Sequence, residues 1–153
     1  MSEIGCLRDI HVNNLEVEQH SLINGHQTVS GNQRITGHSS LTGNLNFLTG
    51  GAVEQANNKQ TSVSLNGRSG KITTNNAELA ANGIVSFTVS NTSITASDVI
   101  LANHVSGGTL GSYVININTI ADGSFNATIT NITSGALSES LVIHFVAFTA
   151  TVS

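Results

Sequence analysis

The chain has 153 residues, a length that suits one or two small domains, and only 9% of them are charged, against roughly a quarter in average globular chains. The formal net charge is −4, and the basic residues Arg8, Arg34, Lys59, Arg68 and Lys71 are scattered, so no stripe of cations exists to neutralise phosphates and nucleic acid is not an expected partner. No apolar run approaches the ~18–20 residues of a bilayer span, so no membrane is expected either, and the single cysteine, Cys6, has no intrachain partner for a disulfide. Val, Ile, Leu and Phe are plentiful and regularly spaced. The composition is therefore that of a β-rich chain kept soluble by hydroxyls and amides, not of a disordered one.

In chain order, residues 1–10 form a short head without the charged-then-apolar pattern of a secretory leader. Residues 11–50 repeat with a period of six: Gly25, Gly31, Gly37 and Gly43 fall at one slot, and His11, Val17, Ile23, Val29, Ile35, Leu41 and Phe47 fall two residues before it. The following slot holds Asn14, His20, His26, Asn32, His38 and Asn44. A six-residue unit with one large apolar side chain cannot shelter that side chain by itself. Periodic architectures shelter it by stacking units on their own chain or on neighbouring chains. The repeat therefore reads as a rod that several copies of the chain build together, with glycine wherever the backbone turns or packs closely.

Gly50-Gly51 ends the register, and residues 51–60 are polar and read as a linker. From Thr61 onward short alternating segments take over. Strands are expected at 61–66, 71–74, 84–90, 98–105, 113–118, 124–131 and 141–148. Turns are expected at Asn66-Gly67, Asn82-Gly83, Ser106-Gly107-Gly108 (a hairpin turn), Asp122-Gly123 and Ser134-Gly135, and a single helical turn within 75–81. Strands at this spacing point to an all-β domain, a β-sandwich or jelly-roll-like unit over 61–153. Its expected core faces carry Phe87 with Val89, Val99 with Leu101, Tyr113 with Ile115 and Ile117, Phe125 with Ala127 and Ile129, and Leu141 with Ile143 and Phe145. The last strand is apolar on its other face too, through Val142, Val146 and Phe148 with only His144 interrupting. A strand apolar on both faces is buried on both. In so small a domain the second cover is expected to be another subunit, a central strand under a loop being the alternative.

The segment Gln60-Thr-Ser-Val-Ser-Leu-Asn-Gly-Arg-Ser-Gly-Lys-Ile-Thr-Thr74 resembles one that recurs in structural proteins of tailed bacteriophages, including cyanophages. Ser86-Phe-Thr-Val-Ser-Asn91, Asp98-Val-Ile-Leu101, Gly123-Ser-Phe125 and Leu137-Ser-Glu-Ser-Leu-Val-Ile-His-Phe145 follow in similar order, so the resemblance covers about residues 60–148. The upstream repeat is likewise similar to phage fibre shafts. The resemblance implies a homotrimeric fibre or spike, with an intertwined β-structured shaft (11–50) and a C-terminal knob (61–153). Val17, Ile23, Val29, Ile35, Leu41 and Phe47 would then line the shaft's threefold axis, and Val142, His144, Val146 and Phe148 would form a subunit interface in the knob.

In a trimer, His20, His26 and His38 would each bring three imidazoles to one level, a set able to hold a transition metal. Asn fills the same slot equally well, and the slot differs in parity from the apolar one. The competing reading is a hydrogen-bonding position facing outward. Glu54, Glu78, Asp98, Asp122 and Glu139 are isolated in sequence, with no sign of the paired carboxylates of a glycosidase. No nucleophile elbow, zinc-protease helix or phosphate loop occurs. The Asn-x-Thr/Ser triplets at Asn91, Asn126 and Asn131 are frequent by chance in so Asn- and Thr-rich a chain. The expected function is thus non-enzymatic and cofactor-free: a virion component in a tail fibre or capsid-mounted fibre, engaged in host attachment. Residues 1–10 (Cys6, Leu7, Arg8) would dock on another virion protein, and exposed Asn, Ser and Thr with Tyr113 would meet host-surface polysaccharide or protein. A capsid decoration or cement protein that binds no receptor is the alternative.

Overall fold

A computed structural model of the protein describes residues 22–46 and 50–150. The chain divides into two units, Met1–Thr42 and Gly43–Ser153. The described part of the first unit, residues 22–42, contains neither helix nor strand, and all of its residues are exposed.

The second unit is all-β, with eight strands: β1 (Gly51–Glu54), β2 (Val63–Ser64), β3 (Ser69–Thr73), β4 (Ile84–Ser90), β5 (Asp98–Ser106), β6 (Tyr113–Ala121), β7 (Ser124–Asn131) and β8 (Val142–Thr149). They form two four-stranded sheets, ordered β1-β3-β8-β5 and β2-β4-β7-β6. Only the β6–β7 connection, through Asp122-Gly123, stays within one sheet; every other connection crosses to the opposite sheet. Two pairs are parallel, β1 with β3 and β2 with β4, and the rest are antiparallel.

Period-two alternation explains the sandwich. On β4, Val85, Phe87 and Val89 point inward and pair with Ile129, Ala127 and Phe125 of β7. On the facing sheet, Ile72 of β3 and Ile143, Phe145 and Ala147 of β8 are buried with them in one core. The rings of Phe125 and Phe145 meet edge to face, with centroids 5.2 Å apart, and tie the two sheets together. Two wholly buried carboxamides fasten the loops at the sandwich ends. Asn91 exchanges hydrogen bonds with the backbone of Gly67, accepting at 3.2 Å and donating at 2.8 Å. Asn131 donates to the carbonyls of Leu79, Ala80 and Gly135. No buried side-chain polar atom among the described residues lacks a partner.

Four local expectations are revised. Residues 51–54, within the segment read as linker, form an edge strand whose Val53 pairs with Ile72. The stretch 75–81 is extended rather than helical. Leu79 is buried and exchanges backbone hydrogen bonds with Leu137, which fixes it as a bridge. Ser106-Gly107-Gly108 is a crossing from β5 to β6 in the other sheet, not a hairpin, and both glycines hold the left-handed conformation, φ +74° and +67°. On β5 the parity is reversed: Asp98 and Ile100 face inward, and Val99 and Leu101 face out.

Truncating the central strand tests the shared core. Ile143→Ala removes a side chain that is 1% exposed, and we expect a loss of about 2–5 kcal/mol in urea unfolding with the denaturant dependence unchanged.

Candidate functional site

Two sets of apolar side chains lie outside the core. The first is the repeat. Ile23, Val29, Ile35 and Leu41, all at the first slot, are 45–66% exposed. A methyl group added at Gly31, Gly37 or Gly43 would touch nothing within 4 Å. Among the described residues, the repeat makes no core of its own. Val17 and Phe47, which continue the slot, lie outside the described residues, as do His20 and the head residues Cys6, Leu7 and Arg8. His26 and His38 are exposed, and no group of three His, Cys, Asp or Glu gathers among the described residues. A three-imidazole site would need one ring from each of three chains.

The second set is the outer face of the β1-β3-β8-β5 sheet. Register aligns it in rows: Val99 of β5 lies opposite Phe148 of β8, Leu101 opposite Val146, and Asn103 opposite His144. On the other side of β8, Lys71 of β3 lies opposite His144 and Thr73 opposite Val142. Val99, Leu101 and Phe148 are 49%, 57% and 41% exposed, and Val142 and Val146 are half-buried. The apolar second face of the last strand is thus real, and β5 doubles its width. His144 is exposed on this face rather than held in the core. A shallow depression of about 240 Å³ lies between Ser69, Lys71, His144 and the glycines Gly50, Gly51 and Gly70.

The outer face of the other sheet carries no charge and is polar across its middle, with the exposed Ile84 and Val114 flanking Thr130 at one end. Ser86 pairs across strands with Thr128 and Thr88 with Asn126, while β6 adds Asn116 and Asn118. The hydroxyls of Ser86 and Thr128 are 2.7 Å apart, and Asn118 donates to Thr128 at 2.7 Å. These cross-strand bonds order a flat array of hydroxyls and amides without one ionisable group.

Lys59, Arg68, Asp98, Asp122 and Glu139 are engaged in structure. Arg68 holds Asp98 in a two-pronged ion pair at 2.7 and 3.0 Å, and Thr149 bridges both partners. This pair explains why an Asp begins the inward face of β5. The Arg68 guanidinium, hydrogen-bonded to the carboxylate, holds its pKa down to about 2 against burial, and the Thr95 N–H and the Thr149 hydroxyl add to the effect. The Lys59 ammonium donates to the carbonyls of Asn75 at 2.5 Å and Glu139 at 2.6 Å. Burial lowers its pKa, which the nearby Glu139 charge opposes. Glu139 accepts from the hydroxyl and N–H of Thr109 and from the Tyr113 hydroxyl, which lowers its pKa. Burial, then the bond to Glu139, raise that of Tyr113. Tyr113 is therefore a core ring with a tethered hydroxyl, not an exposed sugar platform. Asp122 accepts from the Ala96 N–H. Asp98 and Glu139 are shifted downward, opposite to the raised carboxyl of a general acid.

Sequence reasoning missed Val99 and Leu101 as surface residues. The strand Asp-Val-Ile-Leu is apolar at both parities after its first residue, and only the Arg68 partnership reveals which parity faces in. No protein-family model, curated protein or solved structure matches the chain.

The Asp98 carboxyl makes a pH prediction. Its folded-state pKa lies below the ordinary 3.8, so the ionised form favours folding. That contribution is complete above about pH 4 and is lost as pH falls toward about 2. The urea midpoint of the native chain should fall through this window. In Asp98→Asn the midpoint should be lower at neutral pH and should change less between pH 4 and 2.

Proposed function

We propose that this chain is a non-enzymatic structural protein of a phage virion, a homotrimeric fibre that takes part in host attachment. One observation carries the reading: Ile23, Val29, Ile35 and Leu41, the described members of a six-residue aliphatic row, lie exposed in the single chain. Ordering a residue's backbone costs about 1–2 kcal/mol. Burying one aliphatic side chain returns about 1.5–3 kcal/mol, and in the repeat that return is missing until other chains supply the cover. Residues 11–50 form the shaft, with Val17, Ile23, Val29, Ile35, Leu41 and Phe47 along the threefold axis, and folding and trimerisation there are one event. The likeness of residues 60–148 to phage fibre and spike proteins supports the threefold order and the virion setting.

The β-sandwich is the distal knob. Its uncharged array of Ser86, Thr88, Asn116, Asn118, Asn126 and Thr128 suits weak contacts to neutral host-surface polysaccharide, multiplied by several copies per particle. Residues 1–10 dock on another virion protein. A capsid decoration protein would use the same shaft without the receptor contact. Labelled particles separate the two roles: label at one vertex marks a tail fibre, and label spread over the shell marks decoration.

Ile35→Asp places a charge in the shaft's apolar row. We expect the native chain to sediment as a trimer and the variant to disperse or aggregate. A soluble, well-ordered trimer of the variant overturns the packing.

A further inference from the structure

We infer that the β5/β8 half of the outer face of the β1-β3-β8-β5 sheet is turned toward the threefold axis and buried against the same face of two sister chains. This rests on the trimeric reading above and deepens it, because it says which side of each knob is hidden and which meets the outside.

Two independent observations point to this face. One is its apolar row pairing, Val99 with Phe148 and Leu101 with Val146, all in register on two neighbouring strands. Contiguous exposed apolar surface of this kind marks an interaction site. The other is the edge. β5 is the terminal strand of its sheet, nine residues long, with no proline and no outward-facing charge. Its only ionisable groups, Asp98 and His104, lie on the inward parity, Asp98 paired with Arg68 and the His104 ring against Tyr113. Soluble proteins blunt such edges with charge, proline or a cover. Of the other edge strands, β6 presents Asn116 and Asn118 outward beside Val114, where β5 presents Val99 and Leu101.

The occupant follows from charge and from tethering. The ionisable groups on this face, Glu54, Lys71 and His144, lie on β1, β3 and the middle of β8. Among the described residues, none pairs across strands with Val99 or Leu101, whose β8 partners are Phe148 and Val146, so a charged partner finds no counter-charge in those rows. A sister copy brings the matching apolar rows. The shaft also holds sister knobs close, at an effective concentration in the millimolar range for short tethers. A patch too small to assemble free subunits therefore suffices here. About a threefold axis, the side chains nearest it meet their own counterparts and those farther out meet other residues of the sister chains, and the β2-β4-β7-β6 sheet is left on the outside.

The test uses the full chain with Cys6→Ser as background and a single new thiol, Leu101→Cys on this face or Asn116→Cys on the opposite sheet. In the assembled protein we expect Leu101→Cys to cross-link chain to chain on mild oxidation and to react with maleimide at least about tenfold more slowly than after unfolding, the mark of a protected site. Asn116→Cys should do neither. If the Cys6→Ser background sediments as a monomer, the fibre reading itself fails. If it is a trimer while Leu101→Cys reacts as freely as Asn116→Cys and forms no cross-link, the fibre stands and the knob arrangement is wrong.

Discussion

β8 is the strand on which the rest of the knob depends. It pairs with β3 on one side and β5 on the other. Its inward residues Ile143, Phe145 and Ala147 meet the opposite sheet, with Phe145 against Phe125. Its outward residues Val142, Val146 and Phe148 are as apolar as a second core would require. A central strand of an antiparallel sheet with one wet face normally alternates apolar and polar. Here the alternation is abandoned on the one strand that every neighbour needs in place. A wet outer face does not require this, and on the proposed trimer the same strand that builds the core also supplies the assembly face.

The scarcity of charge shapes everything around that strand. With so few ionic side chains, solubility and loop order fall to amides and hydroxyls. Asn91 and Asn131, fully buried, do the work that backbone turns alone would leave incomplete, each satisfying several main-chain groups. Several of the ions present hold loops and strand ends together. Arg68 and Asp98 lock the start of β5 to the loop before β3 and to Thr149 at the end of β8. Lys59 fastens two loops distant in sequence through the carbonyls of Asn75 and Glu139. Few charges remain to discourage unwanted strand pairing, so burial of the exposed apolar edge becomes the available protection.

Much of the fold was legible because strict alternation leaves one solution. Ile84–Ser90 and Ser124–Asn131 sit where their pattern puts them, with Phe87, Val89, Phe125, Ala127 and Ile129 inward. The misreadings occur where a local rule competes with a distant partner. Asp98 looks like a surface residue until Arg68, thirty residues earlier, is brought beside it, and with it the parity of β5 inverts. The stretch before β4 has a plausible helix cap in Asn75, whose side chain does accept the Ala77 N–H. Yet Leu79 gains more by burial and a bridge to Leu137 than one isolated helical turn returns. The polar segment at 51–54 carries no strand signal of its own beyond Val53, and it becomes a strand because β3 offers a free edge. Of the candidate surfaces, the repeat was fully visible as a period, the outer face of β8 was visible as a broken alternation, and the contribution of β5 was not.

The two apolar surfaces differ in what holds them ready, and this orders assembly on the fibre reading. The sandwich has an internal core, with Val89, Ala127 and Ile129 at 0% exposure, so its outer face is presented by a framework already stable in one chain. The described residues of the repeat show no such core, and on the proposed trimer their aliphatic row gains shelter as sister chains arrive. Nucleating a periodic structure is costly because the first units are ordered before any neighbour rewards them. On the proposed trimer, a knob that assembles through β5 and β8 removes that cost by bringing three chains together before the repeat is ordered. Each further hexad then adds its own buried side chain to a register already set. On that proposal the broken alternation of β8 and the period of the repeat act as one device, the first aligning the chains and the second propagating the alignment.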